Sequence, residues 1–447
     1  MFESTQKNKR TFSFIEKNEK IATQLKISIA LIILVVSLLR GFFPILLEGL
    51  VDAKLIYFSL SGSILVYVLT FIKASNYSIL PSRLIYILLL NLLFYISWLI
   101  VDLIGEVNVF FFFALAIFPF LIVIYSKVPS LYFNRIIFLL TPIIAGALIF
   151  EYLLTNGYIL NGNLGFDLRE ELRAIILTET HAPSHTANPF NKINGTTYRA
   201  VGITGEEHES ASILVMLSVF LLAANNQMLH LKFRILLLAM TYLALIATAS
   251  AANIVMTIFA SLIVIAYKFI SMPKNSFLIL ATVLIIIIFS SSYFPSFIDF
   301  LSIPFSRLNN LEAIGIMFGQ QLESNFIDEF IGLIVGHTRQ LELSVWGHIT
   351  EIAYFRILYT AGLPAFIVTN ILWCIPFFYL CKADEYTREK MFAYVAAVYA
   401  GLFTLAHYGT LLRMTNIVLF YSFFGMSIRM YVLSTDFINN TKVDSTK

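Results

Sequence analysis

The chain has 447 residues, 59% of them hydrophobic and 13% charged, with a mean hydropathy of +0.83 and a formal net charge of +3. Soluble proteins carry about 25% Asp, Glu, Lys and Arg, so a soluble fold of this composition could not keep its surface wet. Apolar runs as long as a bilayer is thick recur from residue 27 to residue 433. They define a polytopic all-α membrane protein and exclude a soluble enzyme, a fibrous protein and a disordered chain.

In chain order, residues 1–26 form a hydrophilic tail with six basic residues, Lys7, Lys9, Arg10, Lys17, Lys20 and Lys26. No apolar stretch with a cleavage site follows, so the first span is expected to be an uncleaved anchor with its basic flank in the cytoplasm. Twelve spans are predicted in a transmembrane domain over 27–433. Their limits are 27–48, 55–72, 84–104, 109–126, 132–154, 210–226, 234–249, 252–270, 277–293, 352–381, 391–411 and 416–433. The division of 234–270 is placed at the small-residue run Thr248-Ala-Ser-Ala-Ala252. Residues 434–447 form a second tail.

Charge sets the orientation. With the N-terminus inside, the short cytoplasmic connections carry eleven Lys or Arg and the short outer connections only Lys54 and Arg413. That asymmetry is a positive-inside bias and puts both termini in the cytoplasm. Two long connections, 155–209 and 294–351, then fall outside, in the periplasm. Loops of this size in so economical a chain are where function is housed. The first holds an amphipathic helix over 166–177, with Arg169 and Arg173; the second holds a helix expected to lie along the membrane over 301–321. Cys374 and Cys381, seven residues apart on one helix, read as apolar packing.

Polar chemistry concentrates outside. Of seven histidines only His230 maps to the cytoplasm; His181, His185, His208, His337, His348 and His407 map to the outer side. The outer loops carry Arg169, Arg173, Arg199, Arg307 and Arg339 against the single Lys192. Arginine binds phosphate oxygens in bidentate fashion and is more readily desolvated than lysine, so such a surface suits an anionic ligand such as a diphosphate headgroup. One constellation, Tyr198-Arg199-Ala-Val-Gly202-Ile-Thr-Gly205-Glu206-Glu207-His208-Glu209-Ser-Ala211, leads into the sixth span. It reads as a functional cluster or as a solvated loop end that caps a helix. A second runs from Gly336-His337-Thr-Arg339 to His348, Glu351 and Arg356. On a helix, His348, Glu351 and Arg356 share a face, although Glu351 also suits a helix N-terminus. Arg356, inside an apolar helix, calls for a polar cavity or partner; Arg40 does so less strongly. Arg429, near an inner helix end, can snorkel to the cytoplasm and needs no role. There is no phosphate-binding glycine loop, no HExxH, no GxSxG and no Cys or His cluster at metal spacing. The first outer connection, Glu48 to Lys54, lacks a D-x-D pair, which argues against metal-assisted lipid-phosphosugar enzymes.

These elements resemble the bacterial O-antigen polymerase and ligase superfamily of integral membrane glycosyltransferases. Arg199, Gly202, Glu206 and Ala211 match an R-x-x-G-x-x-x-E-P-x-x-x-A stretch, with Glu207 where proline is usual. The segment Ile331-Gly-Leu-Ile-Val-Gly336-His, then His348 to Gly362-Leu-Pro, is similar to the family's second loop and following helix. The twelve-span layout with two large outer loops is also the family's. One departure is that Thr248-Ala-Ser250 is followed by Ala251, where the family often has arginine.

The resemblance implies a fold like that of GT-C-type glycosyltransferases and a surface-polysaccharide polymerase. It would transfer a glycan from undecaprenyl diphosphate to the non-reducing end of a lipid-linked repeat unit. With the residue reading it implies that Arg199, Arg339 and Arg356 hold the diphosphate. The base that takes the hydroxyl proton is His348 first, with Glu206 and His337 behind it; Glu207, His208, Glu351 and Arg173 are further candidates. No metal or cofactor is required, because arginine supplies the positive charge. The partners implied are undecaprenyl-diphosphate-linked repeat units and a chain-length-determining co-polymerase, with no nucleic acid. Two readings compete: an O-antigen ligase, with the same chemistry on a lipid A-core acceptor, and a lipid-linked oligosaccharide flippase or carrier. Flippases and carriers usually keep outer loops short and show two similar halves, which this chain does not.

Overall fold

The computed structural model describes residues 24–25, 27–39, 59, 61–64, 82–102, 112–159, 192–193, 197–198, 200, 202, 207–270, 334, 353–405 and 413–444. Among these the chain is helical throughout, apart from one hairpin of two-residue strands. The helices are α1 (Ile27–Leu38), α2 (Ser82–Asp102), α3 (Leu121–Tyr125), α4 (Ser130–Thr155), α5 (Glu207–Ala223) and α6 (Leu231–Thr248). They continue with α7 (Ala251–Ile270), α8 (Ala353–Lys382), α9 (Glu385–Thr404) and α10 (Met414–Asp444). The hairpin pairs β1 (Lys192–Ile193) antiparallel with β2 (Thr197–Tyr198), Lys192 facing Tyr198. Among the described residues four stretches are long and apolar enough to cross a membrane: Ser130–Thr155, Leu231–Thr248, Thr360–Lys382 and Thr415–Ser434. Five shorter apolar helices accompany them. The protein is an all-α membrane protein.

The centre of the described bundle is α5. Residues 209–221 are all buried, Ser210, Ser212 and Ser218 included. A helix apolar on every side belongs inside a bundle, and α5 packs against α6, α7, α9 and α10. An aromatic cluster fills the space beside its second half. Phe220 lies 4.9 Å from Phe423 and 5.5 Å from Tyr394, ring centre to ring centre, and Phe133 lies 5.7 Å from Phe423. The Tyr394 hydroxyl donates to Asn134 Oδ1 at 2.9 Å.

Where helices approach most closely, glycine is required. A Cβ on Gly425 of α10 would lie 2.7 Å from Tyr125 Cβ and 2.8 Å from the Ile122 carbonyl of α3. Small residues of this kind let backbones meet in membranes, where dispersion and hydrogen bonding drive association. The residues before α3 are not a plain helix. Phe113–Ile117 is a π turn and Phe118–Phe120 a 3₁₀ turn containing Pro119, which has no N–H to continue the ladder. The Leu115 carbonyl of that π turn accepts from Asn91 Nδ2 at 2.6 Å. Asn91 in turn accepts from Thr369, which also contacts Tyr95 OH at 3.0 Å. This buried network ties α2 and α8 to the irregular turn.

Several sequence expectations change. The run 248–252 does break the chain: α6 stops at Thr248, Ala249 has a left-handed φ of +48°, and α7 starts at Ala251. The last three residues of the first long connection, Glu207, His208 and Glu209, are already helical as part of α5. Arg429, expected to need no role, ties two helices together: its Nη1 donates to the Ser126 carbonyl at 3.1 Å, at the end of α3. Cys374 and Cys381 are exposed on the bundle exterior and do not pack in its core. The expected spans 55–72 and 277–293 lie mostly or wholly outside the described residues, as do the helices expected over 166–177 and 301–321 and most of both long connections.

Candidate functional site

The bundle has two polar ends. At one end the carbonyl ends of helices meet cations. Lys268 Nζ of α7 donates to the Leu222 and Ala224 carbonyls at 2.8 and 3.3 Å, and Arg234 of α6 also donates to Ala224. Arg388 Nη2 donates to the Ala383 carbonyl at 2.9 Å. Each pairing satisfies a carbonyl left over at a helix C-terminus and complements its partial negative charge. These cations are engaged in holding helix ends.

The other end is different in kind. It gathers the C-terminal turn of α4, the start of α5, the break between α6 and α7, and the start of α10. Gly202, the glycine of the R-x-x-G element, has a left-handed φ of +67° and its N–H donates to Glu151 Oε2 of α4 at 2.7 Å. A Cβ there would lie 2.7 Å from Leu148 Cδ2 and 2.9 Å from Ser210 Oγ. The left-handed backbone favours glycine, and any Cβ would also have to displace the Leu148 and Ser210 side chains. Two residues earlier, the Ala200 N–H donates to the Ala247 carbonyl near the end of α6 at 2.9 Å. Ala200 and Gly202 are thus tied to the ends of α6 and α4.

In the first turn of α5, His208 Nδ1 lies 3.0 Å from Ser250 Oγ in the α6–α7 break. Asn253 Nδ2 of α7 donates to the same hydroxyl at 2.9 Å and to the His208 carbonyl at 3.5 Å. His208 is half-buried, whereas Ser250 and Asn253 are 1% and 2% exposed. Glu209 is completely buried, and its carbonyl accepts from Asn416 Nδ2 of α10 at 3.3 Å. A carboxylate at this position faces the positive end of the α5 dipole. The turn that presents Ser250 is strained, since Ala249 takes a conformation that costs an L-residue about 1–2 kcal/mol. Strain of this kind persists where the surroundings over-determine it, and it clusters at working sites.

Of the residues expected from sequence, His208 is placed here with its side chain. Glu207 opens α5, and Arg356 is the fourth residue of α8; both are placed by backbone. Arg173, Arg199, Glu206, His337, Arg339, His348 and Glu351 lie outside the described residues. Glu151, Glu209, Ser250, Asn253 and Asn416 were not singled out as site residues. Two of them were open to notice: Glu151 and Glu209 are carboxylates bordering apolar helices, a costly placement that marks function by default.

No protein-family model matches the chain, and no curated protein matches it in sequence. The fold and the site together define a membrane protein of helical class with one end cemented by cations. Its other end collects carboxylates, an imidazole, amides and hydroxyls around the start of its central helix.

Proposed function

We propose that the protein is a bacterial surface-polysaccharide polymerase, a GT-C-like glycosyltransferase of about twelve spans. It resides in the inner membrane with both termini cytoplasmic, and its long connections 155–209 and 294–351 are periplasmic. A growing glycan on undecaprenyl diphosphate binds at the outer face, with the diphosphate held by Arg199, Arg339 and Arg356. These cations offset the charge that builds on the leaving diphosphate. His348, or in its place Glu206 or His337, takes a proton from a hydroxyl of the incoming lipid-linked repeat unit. That oxygen attacks the anomeric carbon, the carbon–oxygen bond to the diphosphate breaks, and the chain grows by one repeat as undecaprenyl diphosphate leaves.

The observation that supports this reading is the position of one residue of the R-x-x-G element. Its glycine, Gly202, is held by Glu151 at the end of the bundle where α5 begins, opposite the cation-capped helix ends.

The test is a polysaccharide gel from a strain lacking the gene. Loss of the ladder with one repeat still on the core supports the polymerase. Bare core with polymer accumulating on the carrier lipid would mean a ligase, and repeat units trapped on the inner leaflet a flippase. An unchanged ladder overturns the reading for that glycan. An Arg199→Ala enzyme with normal polymer yield removes that residue from the mechanism.

A further inference from the structure

Arg429 differs from the other cations of its end in how few of its hydrogens are placed. Arg388 sets Nε on the Leu380 carbonyl at 3.4 Å and Nη2 on the Ala383 carbonyl at 2.9 Å. Arg429 sets Nη1 on the Ser126 carbonyl, while its Nε is enclosed and has no acceptor. Its Nη2 donates to none of the described residues, and no carboxylate among them pairs with the guanidinium. Nε and Nη2 form the edge with which arginine grips a carboxylate or a phosphate through two parallel hydrogen bonds. A buried donor left without an acceptor is costly, and more so on a charged group. That edge calls for an anion which none of the described residues supplies.

The surroundings select the anion. Ser126 belongs to the turn that joins α3 to α4, and α4 begins after Pro129 with no side-chain cap and no acidic residue in its first turn. The positive end of this 26-residue helix therefore has no carboxylate of its own. Lys127 lies in the same turn, and Arg135 follows in α4. Tyr394, within electrostatic reach of Arg429, donates to Asn134 in the same part of α4. The apolar surface here suits acyl chains: Leu131 and Tyr132 in the first turn of α4, and Leu433 one turn beyond Arg429 on α10, are large and exposed. Arg429 itself lies in the last two turns of the apolar stretch Thr415–Ser434, where a bilayer places its phosphates. Clustered cations at that level recognise anionic lipid headgroups.

We propose that Arg429, together with the start of α4, binds the phosphate of an anionic phospholipid headgroup such as phosphatidylglycerol. The lipid bridges α10 and α4 at the cation-rich end of the bundle. The site does not rest on the polymerase reading; the positive-inside bias assigns it to the cytoplasmic leaflet.

The test uses full-length protein freed of lipid in a neutral detergent. Phosphatidylglycerol, phosphatidylcholine and inorganic phosphate are titrated in, with bound lipid and unfolding temperature as the readouts. The wild type should bind phosphatidylglycerol at least about tenfold more tightly than phosphatidylcholine and unfold at a higher temperature with it. Arg429→Met should weaken phosphatidylglycerol about ten- to a hundredfold, the worth of a hydrogen bond to a charged group. Ser130→Asp leaves Arg429 and its Ser126 contact in place and puts a carboxylate at the start of α4, a position that favours one. Its lipid-free unfolding temperature should stay at or above that of the wild type, while phosphatidylglycerol binding falls about tenfold. This second variant reads the site even where Arg429→Met does not fold. Wild-type affinity for phosphatidylglycerol in Ser130→Asp or in folded Arg429→Met overturns the proposal, as does equal binding of the two lipids by the wild type. Displacement of phosphatidylglycerol by millimolar inorganic phosphate would make a free anion the ligand and overturn the lipid assignment.

Discussion

The two ends of the helical bundle use polar residues for different purposes. At the end rich in Lys and Arg, several long cationic side chains terminate on backbone carbonyls. Lys268 serves Leu222 and Ala224, Arg388 serves Ala383, and Arg429 serves Ser126. At the opposite end, side chains hold other side chains and one another's helices: Glu151 holds the Gly202 N–H, Ser250 holds His208, and Asn253 holds Ser250. The first arrangement uses up charge to finish helices. The second positions an imidazole and carboxylates around a helix start without spending them as caps for carbonyls. Among the described residues a concentration of Lys and Arg is thus a poor guide to function, and the end that gathers carboxylates and an imidazole is the better candidate for chemistry.

Substitutions can break or sharpen that contrast. The largest effect is expected at Gly202→Val. Left-handed backbone and a Cβ within 3 Å of Leu148 and Ser210 should together cost about 2–5 kcal/mol. Polymer should disappear, and thermal unfolding of the purified protein should shift sharply downward. Glu209→Gln keeps the shape of a fully buried side chain and removes its charge. Polymer yield per molecule should fall at least about tenfold, the scale of one lost electrostatic contact, with membrane levels preserved on an immunoblot. At the cationic end the pattern should reverse. Lys268→Met leaves the Leu222 carbonyl without its charged donor and Ala224 with Arg234 alone, a loss of about 1–3 kcal/mol. Protein level should drop, while yield per folded molecule stays near wild type. The smallest effect is expected at Ala249→Gly, which relieves the left-handed turn and should raise stability by about 1 kcal/mol, read as a higher unfolding temperature.

Much of the framework was legible in the sequence, because hydropathy and small-residue runs report on local physics. The break after Thr248 could be seen since a run of Ala and Ser offers neither bulk nor strong helix packing at a place where the apolar stretch is twice too long for one span. Gly202 could be flagged, but its reason could not: Leu148, Glu151 and Ser210 reach it only in three dimensions. Glu209 was one of three glutamates in four residues, and only the packing of α5 shows that this one is wholly enclosed. Ser250 and Asn253 looked like small polar residues at a helix junction until His208, more than forty residues away, was brought beside them. The π turn at Phe113–Ile117 was equally hidden, since Asn91 takes its Leu115 carbonyl from another helix. Long-range partners are what periodicity does not encode.

The division of labour between the two ends is tested most directly by complementing a deletion strain with Glu209→Gln and with Lys268→Met, reading glycan gels normalised to protein in the membrane. The account predicts that Glu209→Gln is present at wild-type level with its ladder lost. It predicts that Lys268→Met is scarce, with a ladder in proportion to its amount. A normal ladder from Glu209→Gln, or loss of the ladder from abundant Lys268→Met, would contradict it.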